Sequence, residues 1–268
     1  MSLVRPAAVA GSFYPGEAAA LAAEIANYLA EAAPGARVAK VPKAIIAPHA
    51  GYMYSGPIAG AIYARLAPLR GTVSRVVLAG PAHRVYVAGA AIPSVEAFDS
   101  PLGPVELDRE ALARLGKLPF VEVSDRAHAL EHSLEVHVPF LQAVLGEFKL
   151  VPIVVGDASP REVGEMLDTL WGGPETLVVV SSDMSHYHPY EVARACDRDT
   201  AQAILRLDPR LVPEEACGAA PINGLLEAAR RRKLAPELVD LRNSGDTAGD
   251  RSRVVGYGAF AFTEPGHA

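Results

Sequence analysis

The sequence predicts an α/β fold, a single domain with a mostly parallel or mixed sheet covered by helices on both faces. Continuous apolar, β-branched runs at 73–78, 149–155 and 177–180 alternate with helical patterns. Strands buried on both faces have this appearance, since neither side of the sheet meets water. No repeat, charge block or Gly/Ser-rich linker divides the chain. We therefore expect residues 1–268 to form one domain.

The elements follow in order from the N-terminus. Residues 17–32 are rich in Ala and Leu with apolar positions at spacing four, which predicts an amphipathic helix before the first strand at 44–47. Ser55-Gly56-Pro57 resembles a helix cap with proline in the first turn, so a helix is expected over 58–66. The 73–78 run predicts the second long strand.

In the central part, extended segments are expected at 87–92 and 105–107, and Asp108 is expected to cap a helix over 109–115. Residues 134–145 are predicted to be helical despite Pro139, which fits only near a first turn. The remaining predicted elements are strands at 149–155, 177–181 and 254–263 and helices at 160–171, 190–207 and 221–231.

Composition excludes several classes of function. The formal charge is −6 and the basic residues are scattered, so a nucleic-acid partner is not expected. No apolar run approaches the roughly 18 residues that span a bilayer, and the N-terminus lacks a signal-peptide pattern. We therefore expect a cytoplasmic protein without membrane insertion. Cys196 and Cys217 are too few for a disulfide framework, which leaves both thiols free.

Two histidines each follow a predicted buried strand. His49 comes after the 44–47 run and His83 after the 73–78 run, both in turns that contain Gly or Pro. The carboxyl ends of parallel strands meet at one edge of a sheet, where ligands bind. Neutral imidazole is the commonest protein ligand for transition metals. We interpret both histidines as metal ligands. The alternative is that each ring only donates a hydrogen bond to a loop carbonyl.

Asp183 and His186 follow the 177–181 strand. Their spacing of three would bring them to one side if the chain turns helical there. Asp183 would then orient a ligating histidine or bind metal itself, and His186 would act as a general acid/base. The alternative is a helix cap with a surface imidazole.

The segment 131–137 is dense in titratable groups. Glu131 and Glu135 would share a helix face. His132 and His137 are five residues apart, whereas the zinc-protease motif needs histidines four residues apart, so that motif is excluded. We expect acid/base or hydrogen-bonding groups that line a pocket, with His132 as a catalytic candidate. A solvated helix start is the alternative for Glu135 and His137.

Cys217 lies in a small-residue turn that enters a predicted helix. A helix N-terminus lowers the pKa of a thiol, which suits a thiolate metal ligand or a nucleophile; the alternative is an inert buried thiol. The polar segment 242–253 is expected to be a loop that either presents donors to an anionic ligand or is simply solvated.

These motifs together resemble the Memo family over nearly the whole chain. The motifs that carry the resemblance are Ala10-Gly11-Ser12-Phe13-Tyr14-Pro15, Pro48-His49-Ala50-Gly51-Tyr52, Gly80-Pro81-Ala82-His83, Glu131-His132-Ser133-Leu134-Glu135-Val136-His137, Ser181-Ser182-Asp183-Met184-Ser185-His186 and Cys217-Gly218. The resemblance implies a fold similar to class III extradiol ring-cleaving dioxygenases. It also implies a pocket formed by His49, His83, Asp183, His186 and Cys217.

Dioxygenases of that fold hold iron through two histidines and a carboxylate. His49 and His83 match the two histidines, whereas Cys217 takes the place of the carboxylate. A thiolate changes the charge and redox potential of iron and favours copper or zinc as well. The resemblance therefore does not imply ring cleavage, and we expect no turnover of catechols.

The leading hypothesis is an iron- or copper-binding oxidoreductase, with zinc as a further option. His49, His83 and Cys217 would be its ligands, and its catalytic residues would be His186, Asp183 and His132. One alternative is a non-catalytic protein that binds a peptide or small anion in the same pocket. The other is a metal- or Cys-dependent hydrolase. We expect the protein to bind a small molecule or a peptide, whose identity the sequence does not indicate.

Overall fold

The computed structural model describes residues 3–32 and 40–265. Its strands are β1 (Val4–Arg5), β2 (Ala44–Ala47), β3 (Arg75–Pro81), β4 (Ala90–Ile92), β5 (Ala97–Phe98), β6 (Val105–Glu106), β7 (Val121–Val123), β8 (Lys149–Val155), β9 (Thr176–Ser181), β10 (His186–His188), β11 (Ala235–Asn243) and β12 (Val254–Thr263). Its α-helices are α1 (Ala18–Ala32), α2 (Tyr52–Tyr63), α3 (Arg109–Leu115), α4 (Asp125–Ala129), α5 (His132–Glu135), α6 (Val138–Leu145), α7 (Pro160–Leu170), α8 (Tyr190–Leu205), α9 (Ala219–Arg232) and α10 (Ser244–Thr247). A 3-10 helix, Ala64–Leu69, continues α2. Within the described ranges, no helix has the length and apolar character needed to cross a bilayer.

The main sheet is mixed and contains nine strands within the described residues. Its order is β10-β12-β2-β9-β3-β8-β4-β7, with β11 paired to β12. The central strands β2, β9, β3 and β8 are parallel, and β12 and β4 pair antiparallel at either side of them. A small second sheet contains β1, β5 and β6. The predicted α/β class with a mostly parallel or mixed sheet is confirmed.

Helices flank the main sheet in two layers. One layer consists of α1, α2 and α6, and its helix α2 contacts β2, β11 and β12. In the other layer α7 and α9 pack together, and α9 contacts β3 and β9. Every residue of β2 and β9 is buried, and so are six of the seven residues of β3. This burial explains why the central strands read as continuous apolar runs instead of alternating ones.

The sheet topology brings the predicted site residues to one edge. β9 lies between β2 and β3 and runs parallel to both, so the carboxyl ends of the three strands are neighbours. His49 follows β2 by two residues and His83 follows β3 by two. Ser181 ends β9, and Asp183 follows it. Residues far apart in sequence therefore leave the sheet side by side.

Helix α2 begins earlier than predicted. It starts at Tyr52, and Pro57 lies inside it, so the prediction of a helix capped at Ser55 is wrong. The Ser55 hydroxyl donates to the Ala50 carbonyl, and the Tyr52 amide donates to the Phe13 carbonyl. The long-range contact with Phe13 starts the helix one turn earlier.

Three other predicted segments differ from the structure. The helix expected over 134–145 is divided into α5 and α6, with Pro139 in the first turn of α6, where its missing N–H costs no hydrogen bond. The chain after Asp183 forms β10 instead of a helix because it pairs with β12. The 242–253 segment is not wholly a loop, since β11 reaches Asn243 and α10 follows.

Candidate metal centre

His49 is held in one tautomer by Ser181. The Ser181 hydroxyl donates to the Ser133 carbonyl at 2.6 Å, so its oxygen is free to accept the Nδ1–H of His49, also at 2.6 Å. This arrangement leaves a lone pair on His49 Nε2, which faces Cys217 Sγ at 3.3 Å. Burial is the main cause that lowers the pKa of His49 well below 6.5. The ring is therefore neutral at pH 7, as a metal ligand must be.

His83 is oriented by the Glu131 carboxylate. That carboxylate accepts the His83 backbone amide at 2.6 Å and its ring Nδ1–H at 2.9 Å, and it accepts the Ser133 amide at 3.0 Å. Burial by itself would raise the pKa of Glu131, but these hydrogen bonds outweigh it and set the pKa to about 2. A carboxylate on Nδ1 leaves Nε2 as the coordinating atom, as is common around metal-bound histidines.

His132 completes a group of three imidazoles. Its ring lies 4.8 Å from that of His83 and 5.4 Å from that of His49, centroid to centroid. One nitrogen from each of the three rings lies within 4.8 Å of the other two, so this triad could hold a metal ion. Burial lowers the pKa of His132 to about 4, which keeps its ring neutral. Its Nδ1 is buried, has no hydrogen-bond partner in the part of the chain that the structure describes, and lies 3.4 Å from Glu131 Oε1.

Gly218 allows Cys217 to approach the ends of the strands. The Gly218 amide donates to Ser182 Oγ at 2.9 Å, and a Cβ on Gly218 would lie only 2.5 Å from the Ser181 carbonyl oxygen. The close approach places Cys217 Sγ beside His49 Nε2 and 3.6 Å from the Asp183 carbonyl oxygen. The sulfur therefore reaches the same edge as the histidines.

The thiol of Cys217 is protonated in the metal-free protein. Burial, followed by the charge of Asp183, raises the pKa of Cys217 to about 12. The expectation that the N-terminus of α9 lowers this pKa is wrong, because desolvation and a neighbouring carboxylate outweigh the helix dipole. A thiol in this state is a poor nucleophile.

Asp183 supports the backbone of the His49 turn. Its Oδ1 accepts the His49 amide at 2.8 Å and the Ala50 amide at 3.3 Å. Its Oδ2 lies 3.9 Å from His49 Nε2, too far for a hydrogen bond. Burial raises the pKa of Asp183 to about 7. Its clearest structural role is therefore to fix the turn after β2.

His186 lies in β10, at the side of the group. Its ring contacts Tyr187 at 5.7 Å between centroids, and burial lowers its pKa despite a hydrogen bond with the Met184 backbone. Across residues 3–32 and 40–265, no hydrogen bond or ring contact joins it to the other three imidazoles. The structure thus brings His49, His83, His132, Asp183 and Cys217 into one cluster and leaves His186 beside it.

Comparison with known proteins identifies the group to which this chain is related. The family model described as "Memo-like protein" matches residues 5–261. The chain belongs to the Memo family. A MEMO1 family protein of Ignicoccus hospitalis is 37% identical over 290 residues, covering 98% of this chain and 100% of the relative. A MEMO1 family protein of Aquifex aeolicus is 37% identical over 271 residues, covering 97% of this chain and 99% of the relative.

The fold of this Memo family protein is also found among solved structures. One of these is the crystal structure of uncharacterized protein JW3007 from Escherichia coli K12, with a TM-score of 0.51 at 15% sequence identity. The match covers 81% of this chain and 98% of that chain. Such a likeness concerns the fold alone. The mixed sheet flanked by helices is consistent with the dioxygenase-like fold that the family resemblance implies.

Two supporting residues of this Memo family protein were not predicted from its sequence. Glu131 holds His83, and Ser181 holds His49, although neither was assigned those roles. Ser181 could have been found from its place at the end of the strand between the two histidine-bearing strands. Glu131 offers a weaker signal, since it lies in the turn before α5 and not at the end of a strand of the central sheet.

Glu135 and His137 are buried parts of the fold. The Glu135 carboxylate accepts hydrogen bonds from Arg5 at 2.7 Å and from the Tyr14 hydroxyl at 2.6 Å. His137 Nδ1 is hydrogen-bonded to the Tyr63 hydroxyl at 2.9 Å. The interpretation of a solvated helix start is therefore wrong for both, because Glu135 is buried against the N-terminal segment and His137 is buried against α2.

A cavity of about 420 Å³ adjoins the cluster, and His83 and Cys217 are part of its wall. This volume lies within the range of small-molecule sites. The polar segment 242–253 does not line it. Its arginines have partners within the protein: Arg242 forms an ion pair with Asp240, and the Arg253 guanidinium lies over the Tyr187 ring.

Proposed function

We propose that this Memo family protein is an iron- or copper-binding oxidoreductase that holds its metal through His49, His83 and Cys217. The observation that carries the proposal is the 3.3 Å distance between His49 Nε2 and Cys217 Sγ. Metal bonds of about 2.0 Å to nitrogen and 2.3 Å to sulfur, at a tetrahedral angle, would place the two atoms about 3.5 Å apart. The spacing therefore matches two ligands of one ion.

The donor set supports a transition metal. Two neutral imidazoles and one thiolate suit copper, iron or zinc more than magnesium or calcium. Both imidazoles are already in the required tautomer, because Ser181 and Glu131 occupy their Nδ1 atoms. The Cys217 thiol must lose its proton on coordination, so metal uptake should release a proton from this ligand.

The remaining polar groups would manage protons and geometry. A bound iron or copper ion would supply one-electron redox chemistry beside the cavity. His132 belongs to the imidazole triad that could hold a metal, but Cys217 Sγ lies beside His49 Nε2, so we assign the third ligand position to Cys217. We assign proton transfer to His132, which is neutral, lies against the His83 ring and has an unbonded Nδ1 among the described residues. His186 would move protons further from the centre, and Asp183 would hold the His49 turn in place.

The nucleophilic hydrolase alternative fits the structure less well. The thiolate is the attacking form of cysteine, and reactive cysteines commonly have a lowered pKa that forms it before substrate binds. With the pKa of Cys217 raised to about 12 and that of His49 lowered, the proton stays on sulfur in the metal-free protein. The pair therefore supports metal ligation over nucleophilic attack.

The proposal is tested by metal analysis after anaerobic purification. We expect about one iron or copper per chain in the parent protein and its loss in His49→Ala and Cys217→Ser. Cys196→Ser is the matched control, since Cys196 lies on α8, and it should retain the metal. A parent protein that contains only zinc would favour hydrolysis, and one that neither contains nor takes up a metal would contradict the proposal.

Substrate turnover is tested separately by oxygen uptake. The iron- or copper-loaded protein should consume oxygen in the presence of a reductant, and the His132→Ala variant should be slower while it keeps its metal. Catechols should not be cleaved, because Cys217 stands where ring-cleaving enzymes of this fold place a carboxylate. Ring cleavage at a rate comparable with those enzymes would contradict this assignment.

A further inference from the structure

The wall of the cavity beside the metal centre contains an unpaired cation. Arg84 directly follows His83, is exposed and lines the cavity. Among the residues that the structure describes, it makes no hydrogen bond or ion pair. Many other arginines of the chain have an ion-pair partner, for example Arg5 with Glu135 and Arg75 with Asp108. Arg84 therefore has donors available for a ligand.

The rest of the wall is largely apolar. Val85, Val87, Pro213 and Pro221 line the same cavity, and so does Tyr86, whose side chain is 78% exposed. An exposed aromatic ring next to a cavity offers a flat apolar surface that can pack against a ligand. Apolar walls with a few polar groups are typical of sites for small molecules.

Asp157 also lines this cavity and carries the opposite charge. It follows β8, the neighbour of the strand that leads to Arg84, yet no ion pair joins the two side chains among the described residues. The proposed metal centre would make the net charge around the cavity more positive. A divalent ion with two neutral imidazoles and one thiolate leaves a net charge of about +1 beside Arg84.

We propose that the cavity binds a small carboxylate with an apolar or aromatic body and that Arg84 receives the carboxylate. The guanidinium fork matches a carboxylate with two parallel hydrogen bonds. The body of the ligand packs against Tyr86 and the proline-lined wall, with the far end toward His83 and Cys217. This inference rests on the proposed function for the location of the metal, but the contribution of Arg84 does not depend on which metal binds.

Phenylacetate and its neutral isostere phenylacetamide are suitable probes. Zinc-loaded protein is used because zinc does not undergo redox chemistry, and binding is measured by calorimetry and by NMR shifts. Phenylacetate should bind about tenfold more tightly than phenylacetamide, as expected for a charge-assisted pair. Arg84→Gln should remove most of that preference, and Arg84→Lys should retain part of it. Lys117→Gln, an exposed cation outside this cavity, is the matched control and should change nothing.

Asp157→Asn provides an independent check. Removal of this negative charge from the wall should tighten phenylacetate binding severalfold and leave phenylacetamide unaffected. Equal affinity for the acid and the amide, an undiminished preference in Arg84→Gln, or weaker phenylacetate binding in Asp157→Asn would overturn the inference.

The same titrations on metal-free protein separate this inference from the proposed function. If metal-free protein prefers phenylacetate over phenylacetamide and Arg84→Gln removes that preference, the inference is supported. This holds even if the protein never binds iron or copper. Metal binding without such a preference would overturn the inference and leave the proposed function intact.

Discussion

At the scale of single residues, the metal centre depends on groups that hold the ligands. Ser181 and Glu131 each occupy the Nδ1 atom of one histidine and so direct the other nitrogen toward the centre. Such supporting residues commonly contribute 10–100-fold to metal affinity. Their importance can be measured without any knowledge of the substrate.

Glu131→Gln should weaken metal binding about 10–100-fold, because an amide cannot accept all the hydrogen bonds that the carboxylate accepts from His83 and Ser133. Competition with a chelator of known affinity measures the change. Glu122→Gln, at an exposed position of β7, is the control. Equal affinity in the parent and Glu131→Gln would show that the carboxylate does not orient His83.

Asp183 should make the stability of the metal-free protein depend on pH. Its pKa is raised from 3.8 to about 7 by burial, so the folded protein keeps a proton that the unfolded chain releases. The resulting stabilisation is fully present below about pH 4 and is lost as the pH rises through about 7, by up to about 4 kcal/mol.

Asp183→Asn removes this titration. The free energy of unfolding of the variant minus that of the parent should therefore increase as the pH rises from 4 to 8. Urea unfolding measures this difference. Parallel stability curves for the parent and Asp183→Asn would contradict the assigned pKa.

At the scale of elements, the site depends on how closely the turn before α9 approaches the end of β9. The missing side chain at Gly218 permits this approach, because an added Cβ would meet the Ser181 carbonyl oxygen at 2.5 Å and the Ser182 Cβ at 2.6 Å. The turn carries Cys217, so any displacement moves the sulfur away from His49. Packing and coordination are therefore coupled here.

Gly218→Ala should cost about 1–3 kcal/mol of stability, as overpacking does elsewhere, and it should also weaken metal binding. Thermal unfolding and chelator competition measure the two effects. The control is Gly116→Ala, where a Cβ would have its nearest neighbour at 3.5 Å, so little change is expected. A Gly218→Ala variant with full stability and full metal affinity would show that the turn adapts freely.

The elements that were predicted correctly are those whose formation depends on local sequence patterns. The strands that precede His49, His83 and Asp183 were found because buried parallel strands read as apolar runs. The start of α2 and the strand β10 were missed because they depend on Phe13 and on β12, which are distant in sequence. The pKa of Cys217 was misjudged because burial and the charge of Asp183 are tertiary effects.

At the scale of the whole molecule, several buried histidines govern the response to acid. Burial lowers the pKa of His128 to about 4 and that of His137 to about 3, and it also lowers those of His49 and His132. The unfolded chain binds protons at these histidines near pH 6.5, whereas the folded protein does not. The stability that they contribute is present above about pH 6.5 and is lost as the pH falls toward 4.

The metal-free protein should therefore lose stability steeply below about pH 6.5, with each buried histidine contributing about 1.4 kcal/mol per pKa unit of its shift. Urea unfolding at pH 7.5, 6.5, 5.5 and 4.5 measures this loss. His137→Phe should reduce the slope, because it removes one of the buried imidazoles. A stability that stays constant from pH 7.5 to 4.5 would contradict the neutral buried state of these histidines.

The central claim is that two imidazoles and the sulfur of Cys217 bind one metal ion. X-ray absorption at the metal edge of the iron- or copper-loaded protein measures this directly. We predict one sulfur neighbour at about 2.3 Å and nitrogen neighbours at about 2.0–2.1 Å. The sulfur signal should vanish in Cys217→Ser and persist in Cys196→Ser. A parent spectrum without sulfur, or a sulfur signal that survives in Cys217→Ser, would contradict the claim.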